Sequence, residues 1–133
     1  MRVIITGVAG LLGARMAEWI LLNKPDVHVV GIDDLSGGFL DNVPRGVEFI
    51  QKDLVEAELG SVFKGGVDYV FHFAAYAAEG LSPFICCYNY GNNVIATANL
   101  INASLEHGVG RFVFTSSMVT YGKGNHPLMI GMN

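Results

Sequence analysis

Apolar and polar positions follow two rhythms along this chain, a strand-like run and a helical repeat, which take turns from the first residues onward. Residues 2–6 are a β-branched run stopped by Gly7, and residues 11–22 then place Leu12, Met16, Trp19 and Ile20 at helical spacing. The first unit therefore reads strand, glycine turn, helix. Asn23-Lys24-Pro25-Asp26 closes it. Residues 27–33 form a second strand, 35–45 a loop rich in Gly, Ser, Pro and Asn, 47–51 a third short strand, and 67–73 a fourth. A weak helix is expected over 55–63. Ser82-Pro83 has the form of an N-cap followed by proline at the first helical position. From it a single long helix runs through Ile85, Val94, Ala98, Ile101 and Leu105 to a stop at His107-Gly108. Residues 111–115 are the fifth strand, and 116–133 show no clear periodicity.

Strands that alternate with helices pair in parallel through right-handed crossovers, which predicts an α/β doubly wound sheet of about five strands in the order 3-2-1-4-5. The composition agrees. With 51% hydrophobic and 15% charged residues, the chain suits strands buried on both faces by helices. The same surplus fits apolar surface covered by another chain. At 133 residues, one domain is expected, without room for a separate substrate domain.

The net charge of -4, with eight Lys and Arg scattered singly, argues against nucleic acid as a partner. No apolar run is long enough for a membrane span: 11–22 carries Arg15 and Glu18, and 69–78 contains His72. The opening strand runs directly into a glycine turn rather than a cleavage site, so a cytoplasmic location is expected. Cys86 and Cys87 are adjacent, which suits neither a relaxed disulfide nor a metal knuckle; buried or half-buried free thiols are expected. His28, His72, His107 and His126 share no ligand spacing, so no metal site is expected. His72, on an apolar strand, reads as a core imidazole with satisfied nitrogens.

The chemistry begins at Thr6-Gly7-Val8-Ala9-Gly10-Leu11-Leu12-Gly13, where strand turns into helix with glycines spaced GxxGxxG. Gly7 permits the tight turn, Gly10 lets backbone approach a pyrophosphate, and Gly13 lets helix pack on strand. The amides opening the helix, at Leu11 and Leu12, favour negative charge. Asp33 follows Gly13 by twenty positions at the end of the second strand, where a carboxylate accepts ribose hydroxyls and repels a 2′-phosphate. This combination indicates a dinucleotide site that prefers NAD to NADP.

This glycine spacing followed by Asp33-Asp34-Leu35-Ser36 resembles the extended short-chain dehydrogenase/reductases, in particular the NAD-dependent sugar-nucleotide epimerase/dehydratase group of the UDP-glucose 4-epimerase kind. The resemblance runs the length of the chain and implies a Rossmann fold with NAD as cofactor. Asp53-Leu54 matches the group's Asp-Leu, whose acid implies a contact to the adenine amino group. Phe73-Ala74-Ala75 matches a stretch that passes close to the cofactor, and Asn93 the asparagine of the long helix. Asp34, Ser36 and Thr115 join the expected cofactor-binding set. Structural alternatives stand beside these readings: a solvated turn for Asp53, a tie between helix and strand for Asn93, core packing for Ala74 and Ala75.

Phe112-Val113-Phe114-Thr115-Ser116-Ser117-Met118-Val119-Thr120-Tyr121-Gly122 resembles the group's fifth strand and its Ser-Ser-x-x-Val-Tyr-Gly continuation, making Ser117 the catalytic-type serine. The resemblance also implies a tyrosine acid/base, its pKa lowered by a lysine four residues on. No such pair occurs. Four positions after Tyr69, Tyr76, Tyr88, Tyr90 and Tyr121 stand Phe73, Gly80, Asn92, Val94 and Asn125. Ala96 in place of a usual glycine, Thr120 in place of Val and Gly110 before Arg111 are milder departures. The expectation is an N-terminal NAD-binding portion, truncated before the substrate domain and without independent catalysis. A nucleotide-sugar is a further candidate ligand. An enzyme completed in trans and a non-catalytic binding or assembly module remain open as alternatives. A sheet cut after its fifth strand exposes an edge, so self-association, most simply as a homodimer, is expected, with residues 128–132 as candidate cover.

Overall fold

The computed structural model describes residues 1–56, 58–78, 80–117 and 120. Tyr121, His126 and the apolar stretch 128–132 lie outside the described residues, as do Met118 and Val119. Strand β1 (Arg2–Thr6) leads into α1 (Leu11–Asn23), followed by β2 (His28–Asp33) and β3 (Glu48–Gln51). Then come a single turn of helix, α2 (Gly60–Phe63), strand β4 (Tyr69–His72), helices α3 (Cys86–Tyr90) and α4 (Ala96–Glu106), and β5 (Arg111–Phe114). All pairings are parallel, and the sheet order is β3-β2-β1-β4-β5. This is the doubly wound order expected from the alternation of strand and helix.

Period-two alternation within the strands divides the core between two faces. Val3, Ile5 and Val29 pack with Ala17 and Ile20 of α1. Ile4, Val30, Ile32 and Val70 pack with Val62 and Phe63 of α2 and with Ala96, Leu100 and Ala103 of α4. Each fully buried Val, Leu, Ile or Phe side chain contributes about 1.5–3 kcal/mol over its exposed state. On the α1 side the cover is uneven. Tyr69 and Phe71 of β4 and Phe73 just after it stack in a row at 6.4 Å ring spacing and are only partly buried.

Two elements depart from their sequence patterns. The helix expected over 55–63 survives only as Gly60–Phe63. Asp53 Oδ1 accepts the Val55 amide at 2.7 Å, and Asn99 Nδ2 donates to the carbonyls of both Leu54 and Val55. Those local and tertiary bonds take the groups a helix would have used. The long helix does not begin at Ser82. Ser82–Phe84 is a separate 3-10 turn, Ile85 leaves the helical region at φ -129°, ψ 37°, and the continuous helix starts at Cys86. Between α3 and α4, residues Gly91–Ile95 form a π turn, in which the Ala96 amide reaches back five residues to the Gly91 carbonyl. The stop is as expected, with Gly108 at φ +65°. The thiols are also a correction: Cys86 and Cys87 are both free and exposed, at the start of a helix, α3, that buries none of its residues. Among the described residues no helix is long and apolar enough to cross a membrane.

Candidate dinucleotide site

Parallel pairing brings the carboxyl ends of all five strands to one edge of the sheet, and the order reverses between β1 and β4, where such folds open a crevice. A cleft lies there. Its lining includes Gly7 and Gly10 of the glycine turn, Asp33, Asp34 and Ser36 after β2, Asp53 and Leu54 after β3, and Phe73, Ala74 and Ala75 after β4. Ten of the expected site residues thus meet at one cleft. Gly13, Leu11 and Leu12 open α1 beside it, Asn93 stands behind its wall, and Thr115 and Ser117 follow β5 without lining it.

The glycine turn is built by close approach. Gly7 has φ +69°, and a Cβ there would lie 2.7 Å from the Ala74 amide nitrogen. A Cβ on Gly13 would lie 2.1 Å from the Gly7 carbonyl oxygen, so helix and turn are in contact only because that atom is missing. Gly10 caps α1 with extended backbone and no side-chain hydrogen bond, and the first turn contains no acid. The amides of Leu11, Leu12 and Gly13 therefore point out of a helix start that the protein itself leaves uncapped.

The acids differ in their surroundings. Asp33 is 9% exposed; its Oδ2 accepts the Ala9 amide and its Oδ1 the Leu35 amide, each at 2.9 Å. Asp34 Oδ1 accepts both the amide and the hydroxyl of Ser36, at 2.9 and 2.7 Å. Asp53 is exposed at the cleft while also closing its own turn, so the structural alternative and the cleft position both describe it. For Asn93 the tie is what the geometry displays. Its Oδ1 accepts the Tyr76 amide at 2.7 Å and its Nδ2 donates to the Tyr76 carbonyl at 3.0 Å, joining helix to the segment after β4.

Sequence reasoning missed several members of this cleft. Gly37, Gly38, Lys52, Tyr76, Asn92 and Ala96 also line it. Lys52 Nζ donates to the Glu58 carbonyl at 2.7 Å. Gly38 comes so near the turn that a Cβ would meet the Ala9 carbonyl carbon at 2.7 Å, and Asn42 Nδ2 donates to the Ala9 oxygen at 2.9 Å. The paired glycines Gly37-Gly38 were the available signal for that approach. His72 is 2% exposed, with Nδ1 2.6 Å from Thr6 Oγ1 and Nε2 2.8 Å from Thr97 Oγ1. Burial lowers its pKa from 6.5 to about 4. It is the satisfied core imidazole expected for its position.

Residues 3–131 match the model of the NAD dependent epimerase/dehydratase family. The UDP-glucose 4-epimerase of Corynebacterium glutamicum is 32% identical over 123 residues, covering 92% of this chain and 37% of that protein. The dTDP-glucose 4,6-dehydratase of Streptomyces antibioticus is 33% identical, covering 95% and 40%. The crystal structure of the Thermus thermophilus UDP-glucose 4-epimerase in complex with NAD superposes with TM-score 0.81 and 33% identity, over 88% of this chain and 38% of that one. The chain thus spans about two fifths of the length of these relatives. By its sheet order, its glycine turn and this match over nearly its whole length, the chain belongs to the NAD dependent epimerase/dehydratase family.

Proposed function

We propose that residues 1–133 form one NAD-binding domain whose cofactor lies along the cleft at the carboxyl edge of the sheet. The observation that carries this reading is the start of α1, uncapped by any side chain or acid and set beside the carboxylate that ends β2. The uncapped amides of Leu11, Leu12 and Gly13 receive the pyrophosphate, aided by the helix dipole. Asp33 receives the adenosine ribose hydroxyls, each of its oxygens keeping a lone pair beyond its one backbone donor, and Asp34 offers them its Oδ2, since Ser36 takes both lone pairs of its Oδ1. Asp53 faces the adenine amino group, and the small side chains of Ala74 and Ala75 leave room for the cofactor's approach. When bound, NAD would supply the hydride acceptor and donor.

Ser117 would orient a nucleotide-sugar hydroxyl, but no Tyr-x-x-x-Lys pair occurs within these 133 residues to move its proton. The segment by itself therefore binds cofactor without completing a hydride cycle. A second reading has its own support. The half-covered aromatic row along β4 and the outer edge of β5, an edge strand among the described residues, suit a second chain that completes the fold in trans, or a second copy that covers it. Calorimetric titration with NAD, NADP and a UDP-sugar separates the readings. Micromolar NAD binding without turnover is expected; turnover restored by a separate chain favours the second reading, and no heat with NAD at millimolar concentration would sink both.

A further inference from the structure

His72 sits in a chain of hydrogen bonds whose directions follow from counting protons. Thr97 has one hydroxyl proton and donates it to the Asn93 carbonyl at 2.7 Å. Toward His72 the Thr97 oxygen must therefore accept, so Nε2 carries the ring proton. A neutral imidazole has one N–H, so Nδ1 accepts from the Thr6 hydroxyl. The Thr6 oxygen in turn accepts the Ala74 amide at 3.2 Å. From Ala74 N–H through Thr6, His72 and Thr97 to the Asn93 carbonyl, every donor meets an acceptor. The rings of Phe112 and Phe114 flank the imidazole at 5.9 and 5.8 Å.

Both ends of this relay reach the same wall of the cleft. Ala74 lines the cleft itself, and Asn93 grips Tyr76, which also lines it, by amide and carbonyl. Segment 73–76 has no regular secondary structure to hold its path. We infer that His72 is a positioning residue: protonated at Nε2 alone, it fixes Thr6 and Thr97 so that the wall formed by 73–76 stands where a bound dinucleotide meets it. A residue that only filled the core would stabilise the whole sheet evenly. A positioning residue acts on segment 73–76 in particular. The effect on binding rests on the cofactor reading above, while the effect on the wall does not.

Backbone hydrogen exchange of the 133-residue chain tests the wall without any ligand. In Thr97→Val the relay loses its acceptor and its donor together, and the amides of Ala74 and Tyr76 are expected to exchange about tenfold faster while Ile5 and Val30 stay as in the wild type. Thr97→Ser, which restores the hydroxyl, is expected to restore their protection. NAD affinity is expected to fall about tenfold in Thr97→Val and to recover in Thr97→Ser. Uniform acceleration across the sheet, or unchanged exchange at both amides, would overturn the proposal. If Thr97→Val does not fold, the imidazole nitrogen shifts of the unaltered protein still decide: a proton on Nδ1 at neutral pH overturns it, and a proton on Nε2 supports it. A wild type that fails to bind NAD defeats the cofactor reading and leaves the exchange comparison standing.

Discussion

The carboxylate of Asp33 accepts the amide proton of Ala9 at 2.9 Å, across 24 positions of sequence. The acid that ends β2 therefore pins the middle of the glycine turn as well as facing the cleft. Its second oxygen holds the Leu35 amide, and Leu35 itself stands at φ +64°. From the other side, Ala9 oxygen accepts the Phe39 amide at 3.2 Å and the Asn42 side chain at 2.9 Å.

Asp33→Asn leaves one acceptor oxygen for two amide donors. A loss of about 1–3 kcal/mol is expected in urea unfolding, the cost of a buried donor without a partner. Removing the charge also removes the repulsion toward a 2′-phosphate, so the ratio of NAD to NADP affinity is expected to narrow in paired titrations. A variant with wild-type stability and an unaltered ratio would contradict both roles.

Gly13→Ala places a methyl carbon 2.1 Å from the Gly7 carbonyl oxygen, backbone against side chain with no flexible group to yield. The expected cost exceeds about 3 kcal/mol, the upper part of the range for overpacking. Gly37→Ala meets nothing within 4 Å and serves as the contrast, with a change within about 0.5 kcal/mol. Equal stability of the two variants in denaturant melts would show that helix and turn are not in the contact described.

The buried His72 makes stability fall with acid. Its folded pKa is lowered from 6.5 to about 4 by burial, so between those values the unfolded chain holds the extra proton and the folded one does not. Stability from this group is full above about pH 6.5, declines as pH falls toward 4, and has lost about 3 kcal/mol below that. Unfolding free energies at pH 8, 5 and 4 measure it, with His72→Gln as the partner that cannot titrate. Parallel pH curves for the two proteins would be the contrary result.

Phe114 is 55% exposed and Val113 37% exposed on β5, an edge strand of the sheet among the described residues. Such an edge recruits a neighbour, so sedimentation at micromolar concentration is expected to show a dimer or a larger species. Val113→Lys puts a charge on that strand and is expected to shift the distribution toward monomer. A wild type that is monomeric throughout would count against association.

The order of elements was legible because each depends on local periodicity. The β-branched run before Gly7, the helical repeat after it and the glycine after His107 each decide their own segment with little help from elsewhere. The helix misread over 55–63 was decided by partners far away in sequence. Asn99 takes the carbonyls of Leu54 and Val55 from more than forty positions away, and no window around residue 55 contains that information.

The candidate site divides along the same line. Sequence alone determined the strand order, the glycine turn with Asp33 twenty residues beyond it, and the place of Asp53, Ala74 and Ala75 at the strand ends, since parallel pairing sends all those ends to one edge. Only the tertiary structure decided that Asn93 clamps Tyr76, that Gly38 and Asn42 close on Ala9, and that Thr6, His72 and Thr97 share one run of protons. Those relationships depend on hydrogen-bond distances a few ångströms long between residues brought together by crossovers, and a linear pattern carries spacing along the chain but not the direction in which a side chain points across it.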